Sequence, residues 1–365
     1  MSRHTFWQRL VAVLGVALLV AVGGQQVARC LGRPEGYVFT PLVFLGDPAP
    51  GGGVFLDAFE SNVINNRGDV LFGSNVAPGD FPKQGLFLLR KGEIAEIARA
   101  GKPAPGGGDY DFGFLSPTTL NDRGDVGFAW LLEPFCFPNP VGPPNDCPTI
   151  GVNTGVYRFS QSTQMVTPVM IPEVTPAPGG GVFKGAQFGV SLNNQGGLVF
   201  GGIVETEQGI HLPDEDYIGL GGWLFMANKT GHLSSVVGPG APVPGGGVFD
   251  FAFGPSMNGR GDVAFTGHVA GEECHAEDFF PQAFLIGCLG SVYVKDAATG
   301  NIRSIAHAGD LAPGGGVYRQ ALSPVINARG DIVFLGDLTS LPAAALRTGI
   351  FLHSFGRADH CGGAP

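Results

Sequence analysis

Charged residues are scarce in this chain of 365 residues: they make up 14% of it, with 21 Lys and Arg against 31 Asp and Glu. No cluster of basic residues stands out from that low background. A surface that binds nucleic acid needs such a cluster to neutralise phosphates. The formal net charge of −10 therefore excludes nucleic acid as a partner and favours neutral, cationic or metal-bridged partners.

Sequence signatures of catalysis are also missing. The chain contains no Gly-x-Ser-x-Gly elbow, no His-Glu-x-x-His motif, no phosphate-binding loop and no dinucleotide fingerprint. Its glycine triplets follow proline and precede predicted strands, whereas a phosphate cradle needs the N-terminus of a helix. The eight histidines show no metal-ligand spacing. The motifs therefore predict no catalytic residue and no cofactor.

Long apolar runs are absent, apart from one near the start of the chain. Residues 10–22 are apolar, and they follow Arg3 and Arg9 and precede two glycines. A basic head, a short apolar core and small residues after it are typical of a secretory signal peptide, whereas a membrane span needs about 20 apolar residues. We expect residues 1–24 to be a signal peptide, and the protein to be exported, either secreted or periplasmic. The alternative is an uncleaved anchor, which would be the protein's only membrane contact.

The chain has only six cysteines. Export would place them in an oxidising compartment, where an even number favours disulfides. Two predicted pairs bracket insertions and the third joins the ends of the chain: Cys136 with Cys147, Cys274 with Cys288, and Cys30 with Cys361. Zinc ligation is less favoured, because neither insertion pair has the two-residue separation of a zinc knuckle. A lipid on Cys30 is also disfavoured, because Arg29 stands where a lipoprotein signal has a small residue.

Glycine and phenylalanine, in contrast, are abundant, with 61 and 28 residues. They recur in the pattern Asn-x-(Arg/Gln)-Gly-(Asp/Gly)-aliphatic-x-Phe, which begins at Asn65, Asn121, Asn193, Asn258 and Asn327. A glycine triplet after a proline opens each unit, at Gly51, Gly106, Gly179, Gly245 and Gly314. A repeat of roughly 65 residues is long for a solenoid and matches one four-stranded propeller blade.

Each unit predicts four antiparallel strands. In the first unit these are residues 55–65, 69–76, 85–90 and 93–100, and the Asn-x-Arg-Gly segment is a tight turn that uses the tolerance of Asn and Gly for positive φ. We therefore predict an all-β fold, a five-bladed β-propeller of four-stranded antiparallel blades, with the phenylalanine of each motif in the apolar layers between blades. The predicted units are residues 51–105, 106–178, 179–244, 245–313, and 314–361 together with 37–50.

The two ends of the repeat region complement each other. The last unit lacks a fourth strand, while residues 37–45 precede the first glycine triplet without partner strands of their own. We expect residues 37–45 to complete the last blade and close the ring, because closure removes exposed blade edges. The propeller would then span residues 37–361, with a linker at 25–36 and a tail at 362–365. A linear array of β-sandwich pieces is the rival fold.

Three long insertions, at residues 131–153, 205–221 and 270–290, fall in consecutive units two, three and four. In a meandering blade the loop between the second and third strands lies on the same face as the crossing to the next blade. We therefore expect all three insertions on one face, as loops on a rigid scaffold often carry binding sites. Two of them hold the candidate binding residues: Glu205, Glu207, His211, Asp214, Glu215, Asp216, Glu272, Glu273, His275, Glu277 and Asp278.

These residues allow three interpretations. Clustered carboxylates beside an imidazole bind Ca²⁺ or a transition metal, or act as a general acid and base pair, and the simplest interpretation is a solvated polar loop. Asp214, Glu215 and Asp216 are the best local candidate for calcium, although the alternating spacing of an EF-hand loop is missing. Arg-Gly-Asp also occurs four times, always at the turn of the motif, and we interpret it as turn chemistry and not as an adhesion site.

The repeat resembles that of a bacterial family of exported tandem-repeat proteins defined by Asn-x-x-Gly-x-x-Ala-Phe. Asn258, Gly261, Ala264 and Phe265 match the motif fully, and the other four copies replace the alanine. The resemblance covers residues 37–355 and implies propeller-like repeats in a surface or secreted protein of unassigned activity. The resemblance implies that family members carry varied C-terminal anchors. This chain ends without an apolar tail, so we expect release or periplasmic residence.

Together these patterns predict an exported, non-enzymatic propeller that binds a protein or a glycan through the face with the three long loops. The alternative is an extracellular hydrolase or lyase that acts on a polymer with carboxylates of residues 205–216 and 272–278. A purely structural envelope component is the third interpretation.

Overall fold

The structure is a computed structural model that describes residues 40–77, 83–133, 153–205, 222–238, 240–272, 290–339 and 346–354. The chain divides into two units, residues 1–44 and 45–365, and all the described strands belong to the second. Residues 40–44 carry no strand, and the described residues contain no helix. The predicted signal peptide and linker, residues 1–36, lie outside the described residues.

The strands form five sheets of consecutive strands. The first contains β1 (Val54–Ile64), β2 (Val70–Ala77), β3 (Lys83–Arg90) and β4 (Glu93–Arg99). The second contains β5 (Tyr110–Leu120), β6 (Val126–Leu132), β7 (Thr154–Ser160) and β8 (Met165–Met170). The third contains β9 (Val182–Leu192), β10 (Leu198–Glu205), β11 (Trp223–Ala227) and β12 (Leu233–Val237). The fourth contains β13 (Phe249–Met257), β14 (Val263–Val269), β15 (Ser291–Lys295) and β16 (Ile302–Ala306), and the fifth contains β17 (Val317–Ile326), β18 (Ile332–Thr339) and β19 (Leu346–His353).

Every strand pairs antiparallel with its neighbours in sequence, and each sheet corresponds to one unit of the repeat. This confirms the prediction of an all-β fold built from antiparallel sheets. It also confirms the four-strand order in the first four units.

Three packed aromatic residues lie on one face of every sheet. In the first sheet Phe72 and Phe87 are register partners with ring centroids 5.6 Å apart, and Phe55 meets Phe87 edge-on at 5.0 Å. Such pairs contribute about 0.5–1.5 kcal/mol beyond the area they bury. The other sheets repeat the triad with Tyr110, Phe128 and Tyr157; Phe183, Phe200 and Phe225; Phe249, Phe265 and Tyr293; and Tyr318, Phe334 and Phe351.

The opposite face of each of the first four sheets is mainly aliphatic and packs on the aromatic face of the next sheet. Leu71 and Leu86 of the first sheet lie in one buried cluster with Phe128 and Tyr157 of the second. Equivalent clusters join the second sheet to the third, the third to the fourth and the fourth to the fifth. Sheets that pack face to face in chain order form a propeller-like succession, and four of the five motif phenylalanines lie in its apolar layers as predicted.

The asparagine of the motif turn serves two purposes in the first three sheets. Asn65 Oδ1 accepts the main-chain N–H groups of Arg67 and Asp69, each at 3.0 Å, which fixes the turn. Asn65 Nδ2 donates to the main-chain oxygen of Asn121, 2.9 Å away in the second sheet. Asn121 reaches Asn193 in the same way at 3.2 Å, and Asn193 reaches Asn258 at 3.4 Å. The sheets are therefore linked by hydrogen bonds at this end, which we call the turn end.

The glycine triplets lie at the opposite end, which we call the mouth end. Gly53 has φ +84°, and a Cβ placed there would stand 1.9 Å from the oxygen of Ala77, the last residue of β2. The N–H of Glu133 likewise donates to Asp109 O, and that of Ala270 to Val248 O. The crossings between sheets therefore contact the ends of the second strands. The connections to the third strands begin there. Those connections and the crossings share the mouth end.

The fifth sheet differs from the sequence prediction. Residues 40–45 form no strand, and residues 37–39 lie outside the described residues. Pro41 removes one main-chain donor from that stretch, and Gly46 turns it at φ +88°. The described fifth sheet accordingly has three strands.

The fifth sheet also has an exposed aliphatic face. Ile350 and Leu352 are 76% and 65% exposed, whereas their equivalents in the first sheet, Leu86 and Leu88, are 0% and 1% exposed. Among the described strands, the fifth and first sheets do not pack as the other successive sheets do. Closure of the ring stays a prediction.

Candidate functional site

Three of the five connections at the mouth end are long. They run between β6 and β7, between β10 and β11, and between β14 and β15, in the second, third and fourth sheets. The corresponding connections of the first and fifth sheets span only residues 78–82 and 340–345. The long connections therefore leave neighbouring sheets at one end of the molecule.

Most of the predicted site residues lie outside the described residues. These are Glu207, His211, Asp214, Glu215, Asp216, Glu273, His275, Glu277 and Asp278, and all six cysteines of the predicted disulfides, Cys30, Cys136, Cys147, Cys274, Cys288 and Cys361. Glu205 ends β10 at the mouth end. Glu272 is the predicted residue whose side chain the structure describes.

Glu272 lies at the start of the third long connection and contacts His307. Its Oε1 is 3.3 Å from His307 Nε2, and both side chains are partly exposed. The N–H of Glu272 donates to Val269 O at 3.1 Å, which holds the residue against the end of β14. His307 follows β16, so the pair links the third connection to the crossing between the fourth and fifth sheets.

The imidazole of His307 is oriented by the crossing itself. Its Nδ1 lies 2.7 Å from the oxygen of Ala308, and its main-chain N–H donates to Asp310 Oδ2 at 2.9 Å. Because a carbonyl oxygen accepts only, Nδ1 carries a proton. The other ring nitrogen, Nε2, faces Glu272 Oε1.

Tyr293 forms the buried floor beside this pair. Its ring lies edge-on to His307, with centroids 6.4 Å apart. The side chain is fully buried. Burial raises the pKa of Tyr293 to about 12; a hydrogen bond with Ser291 opposes that shift, and the charges of Glu272 and Asp310 add to it. Tyr293 is therefore a neutral phenol at physiological pH.

A second imidazole stands on the other side of Glu272. His268 is 1% exposed, stacks on Phe251 at 4.8 Å, and has its Nδ1 3.5 Å from Asp250 Oδ2. Burial lowers the pKa of His268, and the attraction of Asp250 and Glu272 opposes that shift. The lowered pKa favours the neutral form of His268 at pH 7.

The resulting cluster is acidic. Asp250 and Glu272 form ion pairs with the imidazoles of His268 and His307, and Asp310 Oδ2 accepts the main-chain N–H of His307. No group of three or more His, Cys, Asp or Glu residues in that part has the arrangement of a metal site. The predicted calcium residues lie outside it, so calcium binding stays a prediction. The cluster offers acceptors and a phenol to a cationic or hydroxyl-bearing group.

Sequence reasoning found Glu272 but missed His307 and Tyr293. A comparison of the units could have found His307, because the equivalent residues of the first three units are Arg99, Pro172 and Gly238. Tyr293 occupies a position at which three of the five units have phenylalanine, so the repeat gave no signal that distinguishes it from a packing residue.

The described chain is thus an all-β protein of successive antiparallel sheets with an acidic cluster at the mouth end. It belongs to the family of unknown function DUF7453, whose model matches residues 35–135 and 148–280. The resemblance to the Asn-x-x-Gly-x-x-Ala-Phe family stays a prediction. No curated protein matches the sequence. Within the described residues, we find no helix long and apolar enough to cross a bilayer.

Several solved structures are similar to the chain. TolB from Acinetobacter baumannii has 12% identity and a TM-score of 0.41, over 80% of this chain and 54% of that chain. Oligogalacturonate lyase from Vibrio parahaemolyticus has 12% identity and a TM-score of 0.37, over 82% and 65%. The calcium-binding protein regucalcin from Agrobacterium tumefaciens has 12% identity and a TM-score of 0.33, over 84% and 95%. The chain spans about half the length of the TolB chain. At these values the similarities carry no argument about function.

Proposed function

We propose that this protein is an exported, non-enzymatic binding protein whose five sheets close into a five-bladed propeller. Its ligand, a protein or a glycan, binds at the mouth end. The observation that carries the proposal is the placement of the three long connections, which leave neighbouring sheets at the same end as the Glu272–His307 pair. Long loops on a rigid β-scaffold are a common location for binding sites.

Closure of the ring is part of this proposal. The fifth sheet exposes Val333, Leu335, Ile350 and Leu352 on the face that the first four sheets bury against a following sheet. The aromatic face of the first sheet has no preceding sheet, so it is the complementary surface within this chain. Phe55, Phe72 and Phe87 of that face are buried.

A loop exchange tests the binding proposal. The full chain, expressed with its N-terminal segment, is screened against a glycan array and an array of cationic envelope peptides. In one variant, residues 273–289 are replaced by residues 78–82, the short connection of the first sheet. The matched control is Thr299→Ala, at an exposed turn of the same sheet at the turn end.

We expect the chain to bind members of one array, the loop exchange to abolish that binding, and Thr299→Ala to preserve it. The proposal is wrong if the full chain binds no probe above background. It is also wrong if the loop exchange binds as well as the unmodified chain.

The alternative function is that of an extracellular hydrolase or lyase acting on a polymer. The specific observation in its favour is the 3.3 Å separation of Glu272 and His307, since a carboxylate and an imidazole within hydrogen-bonding range form a general acid and base pair. This alternative predicts release of soluble products from a polymer and their loss in Glu272→Gln. Turnover by the unmodified chain would favour it over the binding proposal.

A further inference from the structure

The fifth sheet has an open edge among the described strands. Its last strand, β19, pairs with β18 on one side only, whereas the third strand of each of the other four sheets also pairs with a fourth strand. An open edge invites pairing with another strand, so proteins usually cover it. The described residues stop at Ser354, directly after β19, and residues 355–365 follow.

A residue with a positive φ lies in the turn before every described fourth strand. These residues are Gly92 at +84°, Gln164 at +56°, Gly231 at +86° and Gly300 at +72°. They follow the end of the third strand by two to five residues. Glycine adopts a positive φ at little cost. Gly356 follows the end of β19 by three residues, so a suitable turn residue stands at the equivalent place.

Apolar residues follow this turn residue at fixed distances. In the first four sheets they stand two and five positions after it, as Ile94 and Ile97, Val166 and Val169, Leu233 and Val236, and Ile302 and Ile305. The second residue of each pair is the extra residue of a β-bulge. Two and five positions after Gly356 stand Ala358 and Cys361. The C-terminal segment therefore carries the pattern of a fourth strand, with smaller side chains.

We infer that residues 358–362 form the fourth strand of the fifth sheet and pair antiparallel with the open edge of β19. They match Ile302–Ala306, the fourth strand of the fourth sheet, residue for residue. Residues 354–357 separate His353 from Ala358, and the same number of residues, 90–93, separates Leu89 from its partner Ile94 in the first sheet. The segment is therefore long enough to turn and pair.

This assignment gives the fourth strand to the C-terminal segment and not to residues 37–45, whose described part, residues 40–45, forms no strand. It goes beyond the proposed function and does not rest on it. The strand covers an edge of the fifth sheet, whereas closure of the ring concerns a face. All five units would then have the same four-strand order.

The equivalent strands also indicate where Cys361 lies. In the first four sheets the bulged apolar residue packs in the cluster that joins its sheet to the next one. The same register places Cys361 on the aliphatic face of the fifth sheet, which holds Ile350 and Leu352. The fourth strand therefore extends that face.

Two proline substitutions test the register. In the second sheet Pro168 lies in the fourth strand and pairs with Tyr157, as Ser304 pairs with Tyr293 in the fourth sheet. Proline has no N–H and is tolerated in an edge strand where that group would point to solvent. His360 is the equivalent residue, opposite Phe351, so His360→Pro should preserve the strand. The N–H of its neighbour Asp359 points the other way, toward β19, so Asp359→Pro should release the segment.

Hydrogen exchange of the full chain, followed by mass spectrometry, measures the result in a peptide that covers β19. β15, which pairs on both sides, reports whether the protein is folded. We expect protection of β19 in the unmodified chain and in His360→Pro. About half of its amides, those that face the open edge, should exchange about tenfold faster or more in Asp359→Pro and in a chain that ends at Ser354. If β15 loses protection in the shortened chain, Asp359→Pro decides.

Three results would overturn the inference. Fast exchange of β19 in the unmodified chain means that the edge is open. Protection that persists in both the shortened chain and Asp359→Pro means that another segment or a second copy covers the edge. Equal exchange in Asp359→Pro and His360→Pro contradicts the register. None of these results bears on the proposed function, because the loop exchange reads ligand binding at the mouth end and these variants leave the long connections unchanged.

Discussion

The side-chain amide of Asn65 donates a hydrogen bond to the main-chain oxygen of Asn121, 2.9 Å away in the next sheet. The same side chain accepts two N–H groups of its own turn. In the first three sheets one residue therefore fixes the hairpin and links it to its neighbour, whereas the turn bonds alone are common to the asparagines of all five units.

Replacing Asn121 by alanine tests this double role. The change leaves the turn N–H groups of Arg123 and Asp125 without their acceptor and breaks the bond to Asn193. We expect a loss of about 3 kcal/mol in the free energy of unfolding, since buried groups lose their partners. The measurement is urea unfolding followed by circular dichroism.

Asn327→Ala is the matched control. Asn327 makes the same turn bonds but is exposed, and within the described residues its amide donates only to Asp331. It should cost about 1 kcal/mol, because water replaces the lost bonds. Equal losses for Asn121→Ala and Asn327→Ala would contradict a role for the asparagine in linking sheets.

The crossing at the mouth end gives a second prediction. Gly53→Ala should destabilise the protein by more than about 2 kcal/mol, because its Cβ would stand 1.9 Å from Ala77 O in addition to adopting a positive φ. Gly52→Ala also has a positive φ, but nothing lies within 4 Å of its Cβ, so it should cost about 1 kcal/mol. Thermal unfolding of both variants measures the difference. Indistinguishable melting temperatures would argue against the close approach.

The aspartate of the motif turn predicts a dependence of stability on pH. Burial by itself would raise the pKa of Asp262, but hydrogen bonds from Ala297, Asn258 and Arg260 outweigh it, so the pKa is lowered on folding. Its contribution to stability is therefore complete above the unfolded pKa of about 3.9 and is lost as the pH falls through the lower folded value.

Asp262→Asn should remove this contribution. The unmodified protein should lose more stability than the variant when urea unfolding is compared at about pH 6 and about pH 3. Parallel losses in the two proteins would mean that Asp262 does not titrate differently in the folded state.

Two tyrosine hydroxyls allow a prediction about buried polar groups. Tyr110 and Tyr157 lie in the same aromatic triad, and neither hydroxyl has a hydrogen-bond partner within the described ranges. Tyr110→Phe and Tyr157→Phe should each leave the stability unchanged or raise it by about 1 kcal/mol, because an unsatisfied hydroxyl is removed. A loss of stability in either variant, measured by urea unfolding, would show that its hydroxyl is satisfied in solution.

The repeat predicted the sheets well because each unit carries its own signals, namely an asparagine-glycine turn, alternating apolar residues and a glycine-rich crossing. It did not predict the bond from Asn65 to Asn121, because the acceptor belongs to another unit and comes within reach only when the sheets pack. The contact between Glu272 and His307 lies within one unit, but it joins the connection after β14 to the crossing after β16, and no motif of the repeat relates these two segments. The clustered carboxylates of the third insertion pointed to Glu272. His307 lies outside that insertion, because it follows β16, a strand of another hairpin.

The predicted fourth strand of the last sheet is the clearest difference. Residues 37–45 were assigned to it because the two ends of the repeat complement each other, an argument about topology that ignored the local effects of Pro41 and Gly46. Local backbone chemistry at these residues opposes a strand over 40–45, and the structure has none there.

Closure of the ring is tested most directly by one distance measurement. Spin labels on unnatural amino acids at positions 66 and 328, both at exposed motif turns, report the separation of the first and fifth sheets by double electron–electron resonance. Labels at 259 and 328 report the adjacent fourth and fifth sheets as a control. A closed ring of five sheets predicts that the two distance distributions coincide. A distance from 66 to 328 that is clearly longer than the control would contradict closure and the five-bladed propeller.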